Sequence, residues 1–141
     1  MSVSVTVVAP AAARTTWERW TDFARWPEWN PQCIEAELAG ALVPGTTLDL
    51  HLRHPRGRDF YTRPRLTLVE RGREIVWEAR GLGLRAPTRT LLSPEPDGTR
   101  VTIEAGAHGP LAFTYRMSVT DRTQALIYVA MLDALSDSVR A

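Results

Sequence analysis

Apolar and polar residues alternate along most of this chain, and the period changes at two places only. Ser2 to Val7 sets Val3, Val5 and Val7 on one face against Ser2, Ser4 and Thr6 on the other, which predicts a half-buried strand. Pro10 follows at a position suited to the first turn of a helix. The helix is expected through AAARTTWERWTDF, where Trp17 and Trp20 share one side. WPEWNP (26–31) then interrupts it, because its two prolines forbid a continuous helix. It is read as an elbow, with Trp26 plugging the core and Trp29 and Asn30 nearer any opening.

From there the period is two. Ile34, Ala36 and Leu38 oppose Cys33, Glu35 and Glu37, and after the LVPG turn Leu48, Leu50 and Leu52 oppose Asp49, His51 and Arg53. Beyond the polar loop HPRGRD, the residues Phe60, Thr62, Pro64, Leu66 and Leu68 oppose Tyr61, Arg63, Arg65 and Thr67. Ile75, Trp77 and Ala79 oppose Val76, Glu78 and Arg80. After the GLG turn, Ala86, Thr88, Thr90 and Leu92 oppose Pro87, Arg89 and Leu91. After PDGT, Val101, Ile103, Ala105 and Ala107 oppose Thr102, Glu104 and His108. Glycine-containing turns between alternating runs predict hairpins, and hence an antiparallel sheet.

A helix closes the chain, from about Asp121 to Arg140. Arg122, Asp133, Asp137 and Arg140 form its polar stripe, and Gln124, Tyr128, Met131 and Leu135 lie opposite. Leu126 and Val129 fall near the polar stripe and leave apolar surface for a loop, a partner or a second copy in a homodimer. The fold class is α+β: a strongly curved antiparallel sheet of about six or seven strands around a long C-terminal helix, with two short helices after the first strand. Such a sheet encloses a hollow.

Composition narrows the function. With 141 residues, a single domain spanning 1–141 is expected. A formal net charge of +1 gives no reason to expect nucleic acid. No apolar stretch approaches a membrane span, and the start lacks the pattern of a secretory signal. The single cysteine, Cys33, allows no intrachain disulfide, so a soluble cytoplasmic protein is expected. All 17 basic residues are arginine, which excludes a Schiff-base lysine and a P-loop.

VSVTVVAPAAARTTWERWTDFARWPEWNP, VPGTTLDL, EIVWEARG and SPEPDGTRVTIEAGAHGPL, together with the terminal helix, resemble the START-like SRPBCC superfamily, also called helix-grip or Bet v 1-like. The likeness is to its bacterial polyketide cyclase/dehydrase branch and spans nearly the whole chain. The resemblance implies a deep hydrophobic cavity between sheet and terminal helix, with its mouth near the elbow. In the family's cyclases such a cavity folds a reactive polyketide, and a few polar side chains orient or protonate it.

In that frame the inward parity offers Thr62, Thr88, Thr90 and the Trp77 indole, with Leu50, Phe60 and Ile103 as apolar lining. The helix adds Gln124, Tyr128 and Met131, and the elbow adds Trp29. FTYRM (113–117) is either a lid that brings Tyr115 to the ligand or a segment that extends the last strand or packs the start of the helix. Asp49, Glu78, Glu104, Arg53, Arg63 and Arg65 take the other parity and are expected to face solvent, which leaves no inward carboxylate pair for acid–base work. His51 and His54 lie on opposite faces of an extended chain and lack further ligands, so no metal site is expected. His108 is read as a surface residue or one at the mouth, and Cys33 as a small buried or edge residue.

Two functions are therefore expected: a binding protein for a hydrophobic aromatic, polyketide-like or lipid-like molecule, or a polyketide cyclase/dehydratase with Tyr128 as proton donor. Neither calls for a cofactor.

Overall fold

The computed structural model describes residues 2–55, 58–112 and 120–140. In chain order its elements are β1 (Ser2–Ala9), α1 (Ala13–Thr21), a 3-10 turn (Phe23–Arg25), α2 (Trp26–Trp29), β2 (Cys33–Leu38), β3 (Leu48–Leu52), β4 (Phe60–Thr62), β5 (Arg65–Glu70), β6 (Glu74–Gly81), β7 (Leu84–Glu95), β8 (Gly98–Gly106) and α3 (Asp121–Ser138). The architecture is α+β, and the strands pair antiparallel throughout.

Among the described residues, eight strands fall into two sheets, ordered β1-β8-β7-β6-β5 and β2-β3-β4. The run from Phe60 to Leu68, expected as one strand, divides at Pro64. Its first part joins β3 and its second joins β6. The sheets meet there through a Thr47–Arg65 bridge and backbone bonds from Leu48 N to Pro64 O (2.8 Å) and from Leu66 N to Thr46 O (2.8 Å). A proline lacks the N–H that an unbroken ladder needs, so the sheet splits where Pro64 stands.

Two β-bulges revise the expected faces. The β2–β3 register shifts between Cys33 and Glu35. Cys33 is thereby buried together with Ala36, although the alternation set it with Glu35 and Glu37. A second shift, between Leu66 and Leu68, sets Val69 rather than Leu68 against the core.

At the amino end α1 begins at Ala13, so Pro10 precedes the helix instead of entering its first turn. WPEW is itself a helical turn, which Pro27 tolerates because a first-turn residue needs no N–H bond. Asn30 is buried, and its Oδ1 accepts from Gln32 N at 3.1 Å, which turns the chain into β2. The Thr120 side chain caps α3 by accepting from Thr123 N at 3.2 Å. The helix packs along β1 and buries Ile127, Met131, Leu132 and Leu135. Leu126 and Val129 are 49% and 45% exposed, as their place near the polar stripe requires.

Glu74 and Glu78 point outward from β6, as their parity demands, yet both are buried. Arginines cover them. Arg89 bonds Glu74, and its guanidinium pKa is raised first by that hydrogen bond. Arg80 and Arg85 bond Glu78, each at 3.1 Å. The expectation that Glu78 faces solvent freely fails, because arginine stems and guanidinium groups lie over it as they do over Glu74.

The core between sheet and helices is aromatic. The Trp20 ring centroid lies 4.7 Å from Trp26, 6.3 Å from Trp29 and 6.2 Å from Trp77, the last pair stacked. Phe23 reaches Trp26 at 5.2 Å and Trp77 at 5.7 Å. The Trp26 indole donates to the Trp20 carbonyl at 2.8 Å, which fixes α2 against α1.

Candidate functional site

The aromatic cluster stops short of filling the space beneath α3. Ala79 and Ala86 face each other across β6 and β7, and two methyl groups leave a gap beside the larger Trp77–Thr88 pair. A pocket of about 140 Å³ occupies that region. Trp20, Trp26 and Trp77 supply its aromatic wall, and Leu50, Leu52 and Phe60 close it on the side of β3 and β4. α3 contributes Gln124, Ile127, Tyr128 and Met131, and Thr62, Pro64 and Thr88 complete most of the lining.

Of the residues expected at the site, Leu50, Phe60, Thr62, Trp77, Thr88, Gln124, Tyr128 and Met131 come together on this wall. Thr90, Ile103 and Trp29 are not on it. Thr90 pairs with Ile75 and Ile103, one step along the strands from the Trp77–Thr88 row, and all three are wholly buried. Inward parity selects a face; it does not say which rows a plug has already filled. The Thr90 hydroxyl is left without a hydrogen-bond partner. Trp29 packs edge-on against Trp26 at 6.0 Å and is half-buried, while Trp26 is buried in the core as expected and also reaches the pocket wall. Tyr115 and the FTYRM segment lie outside the described residues.

The wall also includes Trp20, Trp26, Leu52, Tyr61, Ala79 and Ala86, which were not among the expected site residues, although Leu52, Ala79 and Ala86 share the inward parity. The facing alanines beside a hairpin turn were the available signal, since small residues opposite each other make room. Tyr61 is 76% exposed and stacks on His51 at 3.9 Å, while His54 stands edge-on to Phe60 at 6.3 Å. The two histidines therefore serve different neighbours. His108 is exposed and bridges to Arg85, away from the pocket.

The chemistry of the wall follows from what lines it. Among the described residues it holds no carboxylate, imidazole, guanidinium or thiol. Its polar groups are hydroxyls, one amide and indole N–H groups. A charged ligand group would be desolvated there without a counter-charge, at a cost of several kcal/mol. The Cys33 thiol is buried elsewhere in the core, and burial pushes its pKa up to about 11 against the opposing pull of Arg53, so it stays protonated and unreactive near neutral pH.

Residues 1–140 match the family described as polyketide cyclase / dehydrase and lipid transport. The chain belongs to this family. Its START-like helix-grip fold is shared by solved structures of low sequence identity. The polyketide cyclase/dehydrase family chain superposes on a START superfamily protein from Mycobacterium smegmatis with a TM-score of 0.77 at 19% identity, covering 98% of this chain and 96% of that one. It matches the di-domain ARO/CYC BexL of the BE-7585A biosynthetic pathway with a TM-score of 0.79 at 20% identity, and covers 100% of this chain and 50% of BexL. For the di-domain ARO/CYC StfQ of the steffimycin pathway the TM-score is 0.75 at 14% identity, covering 96% and 49%. The chain thus spans about half the length of both di-domain proteins. Among curated proteins none matches. Among the described residues no helix is long and apolar enough to cross a membrane.

Proposed function

We propose that this polyketide cyclase/dehydrase family protein binds a neutral hydrophobic small molecule on the scale of one aromatic ring. The observation that carries the proposal is the pocket of about 140 Å³ with three indoles and no charged group on its wall. A cavity of about 150 Å³ takes a benzene, whereas drug-sized ligands occupy roughly 300–1,000 Å³. Burying an aromatic ring of about 150–250 Å² contributes about 4–6 kcal/mol before ordering costs, so Kd is expected no tighter than roughly the tens-of-micromolar to millimolar range. Thr62, Thr88, Gln124 and Tyr128 would orient a hydroxyl or carbonyl on the ring.

A thermal-shift series tests this reading. Phenol, p-cresol and toluene are expected to raise Tm in a saturable way, and benzoate at neutral pH to leave it unchanged. No shift with any neutral ring compound removes the reading.

The family description and the ARO/CYC neighbours favour a second reading, cyclisation or dehydration of a polyketide-like chain. Holding a flexible chain in one folded conformation lowers the entropic barrier without an ionic acid or base. Tyr128 would then donate a proton to the developing oxyanion. Tyr128→Phe is expected to lower kcat by about a hundredfold or more while ring-compound affinity changes less than about threefold. Unchanged turnover would rule out Tyr128 as the donor.

A further inference from the structure

On the opposite face of the strands that line the pocket, Arg63, Arg65, Thr67, Glu78 and Arg80 surround an outward-facing cleft of about 470 Å³. It forms where β4 ends at Thr62 and β5 begins at Arg65, and Arg63 and Arg65, on either side of Pro64, both line it. The charges do not balance. Arg63 is held by Asp49 at 2.6 Å. Glu78, the one carboxylate on the wall, is already occupied at both oxygens, by Arg80 on Oε2 and by Arg85 on Oε1. Arg65 stands directly opposite Glu78 in the β5–β6 register, yet its guanidinium has no ion-pair partner among the described residues. Three guanidinium groups, those of Arg63, Arg65 and Arg80, and one carboxylate, that of Glu78, thus line the cleft.

We propose that this cleft is a binding site for a soluble phosphorylated small molecule, whose phosphate dianion matches that charge excess. A guanidinium offers paired N–H donors in a planar fork that fits two phosphate oxygens. Arg65 supplies a complete fork, and Arg63 and Arg80 add the donors that Asp49 and Glu78 leave over. The volume exceeds that of inorganic phosphate, so it admits an organic body attached to the phosphate. Glu78, buried beneath the arginines, holds two of them in place and forms no part of the contact to the anion. The site is independent of the apolar pocket, since Arg63 and Arg65 lie on the opposite parity from Thr62 and Pro64.

Titration with inorganic pyrophosphate, followed by isothermal calorimetry at fixed ionic strength, tests the assignment. The wild-type protein is expected to bind one equivalent saturably, with Kd near or below the millimolar range. Arg65→Gln removes no hydrogen bond or ion pair among the described residues and should melt at the wild-type temperature, while binding pyrophosphate about tenfold more weakly. Arg65→Lys restores the charge without the fork and is expected to recover binding only in part. Arg100→Gln removes the same unit of charge from the outer face at the Glu95 pair and should bind as wild type does. Absence of saturable binding, wild-type affinity in Arg65→Gln, or an equal loss in Arg100→Gln would each overturn the proposal; the last result would mean diffuse attraction to a basic surface.

Discussion

Trp20→Ala is expected to lower the unfolding free energy by about 3–5 kcal/mol, the range for removing a fully buried large aromatic. Trp20 is wholly buried and touches Trp26, Trp29 and Trp77 at once. Its loss removes dispersion contacts on three sides, and the neighbours that would have to collapse into the gap are rigid bicyclic rings. The site therefore relaxes poorly, and the upper half of the range is expected. The same change extends the pocket, because Trp20 forms part of its wall. Stability falls while the space for ligand grows, so a two-ring compound such as naphthol should regain a larger share of Tm in the variant than in the wild type. Urea unfolding followed by far-UV circular dichroism measures the loss. A change below about 1 kcal/mol would show that the indole cluster is not the structural centre described here.

The second large effect comes from a residue with no side chain. Gly98 opens β8 at φ +150°, and a Cβ built there would stand 1.9 Å from the Ala9 carbonyl oxygen. The backbone cannot yield cheaply, because the next residue, Thr99, is buried and donates from its hydroxyl to the Ala11 carbonyl at 2.7 Å. Together these contacts clamp the exit of β1 to the β7–β8 hairpin and set the direction in which α1 departs. Gly98→Ala is expected to cost about 3 kcal/mol or more. Gly45→Ala provides the comparison: Gly45 also has positive φ (+97°), but nothing lies within 4 Å of its added Cβ. Only backbone strain applies there, about 1–2 kcal/mol. Equal losses for the two variants would show that the close approach to Ala9 contributes nothing.

Alternation reads the faces of β1, β7 and β8 correctly because these strands keep one register from end to end, and that of β3 because the extra residue of the β2–β3 bulge lies on β2. It misreads Cys33 and Leu68 because a bulge inserts one extra residue into β2 and into β5 and so reverses the parity across it. The site was legible to a similar depth. Gln124, Tyr128 and Met131 follow from helical spacing, and Thr62, Trp77 and Thr88 from inward parity. Depth along a strand is a different quantity, since it depends on where α1 and α2 carry their tryptophans. Hence Thr90 and Ile103 belong to solid core, while Trp26 rather than Trp29 meets the pocket. The buried state of Glu74 and Glu78 depends on arginines from a neighbouring strand and from the same strand folding over them, a relation no periodicity contains.

The indole cluster also has an optical consequence. Four of the five tryptophans lie in one group with Trp20 at its centre, no further than 6.3 Å from each of the other three. At such separations excitation passes among the rings much faster than it is emitted, so the group absorbs and emits as a coupled unit. Three of its members form the pocket wall. Whatever enters the pocket therefore alters the emission of the whole unit, and the protein carries its own label for occupancy.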